Sequence, residues 1–330
     1  MHPRMATRRI VGDPVHARQN RAKLGEKSLC YDRPVNFAKL GIIASVVAVN
    51  IAFTYSWIRH RHRCVDQGRP TLADIGIGAL TDFLDGLGIG SFAPTTAIFK
   101  FRRRPADELI PGTLNIGHNP AAMIETIAFV TAVAVEPFLL AGMVASATLG
   151  GWLGAGKVSR LARRPIQLGM GTALLVAAMF FMLRNLDWLP PGGTSMGLEG
   201  WRFAVAVGAN FVLGALTTIG IGPFAPIMVV VSLLGLHPLG AFPIMMATCG
   251  IVQPVAGLQF FRSGRYALGP SLGLAIGGVF GSIVAVFIVK QVPLTALRWI
   301  VAAVVAYAGL SMLRSAAGER GRVPAAVAGA

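Results

Sequence analysis

Residues 88–94 read GIGSFAP, and residues 220–226 read GIGPFAP. Both stretches lie inside long apolar runs. There glycine weakens a helix and proline removes one of its hydrogen bonds. The run 203–234 shows why the motif decides the fold. At ~1.5 Å per residue it would make a straight helix of ~48 Å, against a bilayer core of about 30 Å. The run must tilt, protrude or break, and the Gly-Pro motif supplies the break. A break inside a membrane frees N–H and C=O groups, which are tolerated only when buried in protein or lining a wet cavity. The motif therefore predicts a cavity as well as a kink.

The rest of the chain supports a membrane reading. Of 330 residues, 54% are hydrophobic and 13% charged, about half the charged share of a typical soluble domain. Mean hydropathy is +0.63. Nine apolar runs are visible: 37–58, 72–99, 110–135, 137–156, 166–183, 203–234, 238–261, 267–289 and 294–313. They are continuous, not alternating, which excludes an outer-membrane barrel. The net charge of +16 lies in a tail and in loops between spans, so it points to membrane topology and not to nucleic acid. Residues 1–36 are basic without an apolar core, so they are not a cleavable signal peptide. They are expected to form a disordered cytoplasmic tail. A topology with the N-terminus inside and the C-terminus outside places most of the 30 Lys and Arg residues on the inner side, although the RHRHR linker at 59–63 opposes it.

The two motifs head a repeat. Each is followed by a short loop and a polar-interrupted span, PGTLNIGHNP (111–120) and PIMMATCGIVQP (243–254). Next come LGGWLG (149–154) and IGGVFG (276–281), then Met-Leu-Arg at 182–184 and 312–314. The expected fold is all-α: a polytopic transmembrane bundle of two homologous four-helix repeats, 72–184 and 203–314. One extra helix (37–58) precedes them and a tail (315–330) follows. Four crossings per repeat imply parallel repeats; one re-entrant run in each would make them inverted.

This ordered set resembles the TauE/SafE family of sulfite and sulfonate-type anion exporters over roughly residues 72–314. The family's first motif usually has the form GxGGG; here Ser91 and Pro223 stand where a third glycine is common. The resemblance implies an inner-membrane, multi-pass transporter, working as an exporter, for a small anion such as sulfite, a sulfonate or another organosulfur compound.

The residues themselves offer a mechanism. A helix restarting after a break points free N–H groups and a positive dipole end into the protein, which suits an oxyanion. Two such ends facing each other would form a site from Gly88, Gly90, Ser91, Phe92 and Pro94 with Gly220, Gly222, Phe224 and Pro226, the Ser91 hydroxyl donating to the anion. The alternative is a pair of packing kinks; duplication in matching context favours the site. Asn115, His118 and Gln253 in the polar second spans would line the path, or satisfy backbone freed by nearby prolines. Asp85 and Glu125 are candidates for proton coupling, and Asp82 shares a helix face with Asp85. Capping of the broken backbone is the competing role for Asp85. The GGxxG segments are read as helix-packing sites.

No nucleotide-binding P-loop, HExxH, paired cysteine or Ser/His/Asp spacing occurs, so neither ATP drive nor an enzyme is expected, and no cofactor or metal. The partners are the anion and the lipid bilayer; a homo-oligomer is compatible with the sequence. The competing class is a membrane-embedded sulfur-relay or enzyme component working through Cys249, the one in-span thiol.

Overall fold

The computed structural model describes residues 34–188, 192–220, 222–288 and 294–318. The basic tail, apart from its last three residues, and the end of the C-terminal tail lie outside the described residues. Among those described the secondary structure is helical, with no strands. The helices are α1 (Pro34–His60), α2 (Leu72–Gly86), α3 (Phe92–Arg102), α4 (Ile110–Gly117), α5 (Asn119–Ala132) and α6 (Pro137–Val158). Then come α7 (Arg163–Asn185), α8 (Gly200–Thr217), α9 (Phe224–Leu233), α10 (Pro238–Ser263), α11 (Leu268–Ile288) and α12 (Leu294–Gly318). Among the described residues, seven helices are long and apolar enough to cross a membrane, which suggests a multi-pass membrane protein.

The first broken span does not cross. Thr71 caps α2, its hydroxyl accepting from Asp74 N while the Asp74 carboxylate accepts from Thr71 N. That same carboxylate accepts from Arg102 Nη1 at the far end of α3, 3.0 Å away. The pair α2–α3 thus begins and ends on one face. By length, α2 reaches about 22 Å and α3 about 16 Å into a core of about 30 Å. The reversal occurs at Gly88 and Gly90, with φ +80° and +95°, values few residues other than glycine adopt.

The second broken span behaves alike. The end of α9 returns to the start of α8: His237 N donates to Ser195 O at 2.7 Å and Gly193 N to Leu236 O at 3.1 Å. A Cβ added at Gly235 would lie 3.4 Å from Arg202 Nη1. Runs 72–99 and 203–234, read as single broken crossings, are therefore re-entrant hairpins. The helix α8 meets the length criterion for a span, yet the hairpin turns back after it. Run 110–135 is also divided: α4 and α5 meet at His118, because Pro120 has no N–H to continue the ladder.

Hydrogen bonds sort the loops onto two faces. On the first, Val65 N donates to Gly264 O and Leu268 N to Asp66 O. There too Ala267 N donates to Thr113 Oγ1 and Arg265 to Leu161 O. The ends of α2–α3 lie on this face. On the second, Glu136 N donates to Met196 O, beside the ends of α8–α9. The hairpins therefore enter from opposite faces. The basic segments 59–69, 100–104, 157–164 and 262–265, with Arg314, share the first face. Among the described side chains from 42 onward, the second face carries Arg184 and Arg202.

Small residues let the helices touch. A Cβ at Gly277 would sit 1.8 Å from Ile75 O, and one at Gly281 2.1 Å from Ala79 O, so α11 lies directly on α2. Likewise a Cβ at Gly150 would sit 1.9 Å from Phe211 O, and one at Gly214 2.1 Å from Ala147 O, so α6 lies on α8. The GGxxG segments are close-packing surfaces. Each holds a hairpin arm against a crossing helix from the other half of the chain.

Candidate functional site

The hairpin tips meet. A Cβ at Gly90 would be in van der Waals contact with Phe224, 3.8 Å away, and one at Gly222 would lie 3.7 Å from the Phe92 Cβ. Phe92 opens α3 and Phe224 opens α9. Two helix N-termini therefore converge inside the protein, each with the positive end of its dipole at the junction. Gly220, with φ +96°, turns the second tip and sits against Met170 and Leu114. Gly88 sits against Phe242. Pro94 is buried in the first turn of α3, and Pro226 is half-buried in that of α9.

The first helix end is already occupied. Ser91 N donates to Asp85 Oδ1 at 2.9 Å, and Ser91 Oγ to Asp85 Oδ2 at 3.1 Å. Both residues are almost fully buried. The carboxylate takes the N–H and hydroxyl that the sequence assigned to an incoming anion. The free Ser91 hydroxyl is thus corrected: it is held by Asp85, because Gly88 and Gly90 fold the end of α2 back beside the start of α3. The second tip has Thr217 at the position aligned with Asp85, and its hydroxyl donates to Leu213 O. Only the first tip carries its own carboxylate.

Beside this cap lies a proton-bearing chain. His118 Nδ1 is 2.8 Å from Asp82 Oδ1, and its Nε2 is 3.0 Å from Thr95 Oγ1. Thr95 in turn donates to Ser91 O at 2.8 Å. The Thr95 hydroxyl is in reach of both that carbonyl, which also accepts from Thr95 N at 3.0 Å, and His118 Nε2, and the imidazole tautomer follows from which of the two it serves. Asp82 and His118 have no solvent exposure and contact each other directly. The Phe92 ring packs 5.7 Å from the imidazole, centroid to centroid.

Glu125 Oε1 accepts from Ser282 at 2.9 Å and would lie 3.4 Å from a Cβ at Gly86. It lies near Asp82 and Asp85. Cys249 is buried and lies near Asp85, Glu125 and Gln253. Asn115 donates to Pro111 O at 2.9 Å. The carbonyl oxygens of Asn115 and Gln253 are buried without a hydrogen-bond partner in the protein. The fold thus gathers Asp85, Ser91, Phe92, His118, Gly90, Gly222 and Phe224 at the junction. Asn115 turns its amide back onto the Pro111 carbonyl of its own helix.

Sequence reasoning underused Asp82 and missed Thr95 and Ser282. The signal for Thr95 was its place four residues after Ser91, on the same face of α3. That for Ser282 was its position next to the GGxxG of α11. Comparisons with family models, with curated proteins and with solved structures found no match to this chain.

Proposed function

We infer that this protein is a secondary transporter of a small anion, coupled to protons, with the anion bound between the two hairpin tips. The observation that carries the reading is Asp85. An oxyanion already sits at the N-terminus of α3, accepting one backbone N–H and one hydroxyl. This is how a helix end binds a carboxylate, sulfite or sulfonate group. A protonated Asp85 would accept more weakly and release both Ser91 donors to a substrate oxygen. Anion and proton would then enter together, and a monoanion with one proton moves without net charge. The direction of net movement follows the combined gradients, so export, as the resemblance to the TauE/SafE family implies, runs whenever the outward anion gradient exceeds the opposing proton gradient.

Two inverted repeats fit this scheme better than the parallel ones expected from four crossings. Each would comprise a hairpin and three crossings, with α1 as the extra helix. Reciprocal packing of α2 on α11 and of α8 on α6 supports that arrangement, as does entry of the hairpins from opposite faces. The positive-inside rule puts the basic first face in the cytoplasm, which brings the RHRHR linker inside and places the end of α12 there too.

The test is flux of sulfite, a sulfonate, thiosulfate and sulfate into proteoliposomes, with and without a pH gradient. Flux of at least one, driven by the pH gradient, is the expected result. Absence of flux for all four would count against the reading. A sulfur-relay role is the second reading, favoured by Cys249 lying among the carboxylates; it predicts that Cys249→Ser abolishes function.

A further inference from the structure

We propose that the basic face carries a binding site for the phosphodiester headgroup of an anionic membrane lipid, in a cleft between the C-terminal end of α3 and α12. The cleft has a cavity of ≈ 120 Å³, lined by Lys100, Phe101, Arg103, Tyr307 and Ser311 with two alanines. It is independent of the transport site, which lies at the other end of α3.

The charge count suits one phosphodiester. Lys100 gives one bond to Asp107, at 2.7 Å, and so is neutralised while keeping further N–H donors. Arg103 has no carboxylate within ion-pair distance among the described residues. The cleft therefore has one unbalanced positive charge, a guanidinium whose fork matches two phosphate oxygens. Ser311 adds a hydroxyl. Arg103 ends α3 in the left-handed region, φ +55°, which turns the chain at the cleft's edge.

The walls favour a lipid over free phosphate. Phe101 and Tyr307 stack face to face, 4.9 Å between centroids, and both are about half exposed. Leu310, on the next turn of α12, is also exposed. A headgroup held by Arg103 would leave its acyl chains against this apolar strip, with the aromatic pair at the level of the interface. Basic pockets between membrane helices bind such headgroups on the cytoplasmic side.

The test is native mass spectrometry of the purified full chain titrated with phosphatidylglycerol, phosphatidylcholine or inorganic phosphate. Arg103→Gly removes the charge and keeps a residue at ease in the left-handed conformation. The wild type should retain phosphatidylglycerol in preference to phosphatidylcholine. Arg103→Gly should weaken the anionic lipid about fivefold, the contribution of one Arg near an anionic surface, and leave phosphatidylcholine unchanged. Equal retention of the two lipids, or an unaltered Arg103→Gly, would overturn the proposal. So would displacement of phosphatidylglycerol by an equal concentration of inorganic phosphate, which would make this a free-anion site. Should Arg103→Gly fail to fold, Arg103→Asn carries the same comparison, since Asn also tolerates this region.

Discussion

Under the proposed function, replacing Asp85 by Asn should convert electroneutral anion–proton transport into electrogenic transport. The side chains are isosteric, and the Asn carbonyl can still accept from Ser91 N, now 2.9 Å from Asp85 Oδ1. The cap therefore survives in a weaker, neutral form, and the fold is expected to persist. What is lost is the proton that travels with the anion. In the wild type, a monoanion moving with one proton should accumulate about tenfold per unit of pH gradient, because one pH unit is worth about 1.36 kcal/mol. It should ignore membrane potential. In Asp85→Asn the anion crosses alone. A 100 mV potential then acts on it with about 2.3 kcal/mol, equivalent to an accumulation ratio of about 50, while the pH gradient does nothing. The assay is labelled-anion uptake into proteoliposomes clamped with a potassium gradient and valinomycin, with the pH gradient set separately. An Asp85→Asn protein whose uptake keeps the wild-type pH dependence would refute the reasoning.

Other consequences follow from the same contacts. His118→Gln removes the imidazole that pairs with the buried Asp82 carboxyl, which should cost about 3–5 kcal/mol of stability. Thermal unfolding in detergent would read that loss, and Asp82→Asn combined with His118→Gln should recover much of it. Gly150→Val drives a side chain into Phe211 O and should separate α6 from α8, costing about 1–3 kcal/mol; a monodisperse, wild-type elution profile would contradict this. Topology can be read with an impermeant maleimide in a Cys30→Ser background. Trp188→Cys should label in intact cells and Arg160→Cys only after permeabilisation. Cys64 should stay silent, because burial pushes its thiol pKa up and keeps it in the unreactive protonated form. Cys249→Ser should transport normally; loss of all activity would favour the sulfur relay.

The breaks and their pairing were legible because a glycine-proline motif in an apolar run leaves a mark in every copy. The close-packing role of GGxxG was legible for a similar reason: small residues at i, i+1 and i+4 have few other uses on a membrane helix. The fold-back was not. It is declared by Arg102 meeting Asp74, 28 residues apart in the chain, and nothing local separates a kinked crossing from a re-entrant hairpin. The proposed orientation differs from the expected one for the same reason, since an unrecognised hairpin inverts the loops that follow it. At the site, capping by Asp85 was one of two readings available from its position just before the break. Its capture of the Ser91 hydroxyl depends on the reversal at Gly88 and Gly90. The His118–Asp82 pair spans 36 residues and becomes visible only once α2 and the α4–α5 junction lie side by side.

The central claim is that substrate and the Asp85 carboxylate compete for the same Ser91 donors, so that binding an anion forces a proton onto the protein. Proton uptake during anion binding tests this most directly, using purified protein in weakly buffered detergent solution with a pH indicator. About one proton should be taken up per anion bound at a pH where Asp85 is ionised, and none in Asp85→Asn. Anion binding with no proton uptake in the wild type would contradict it.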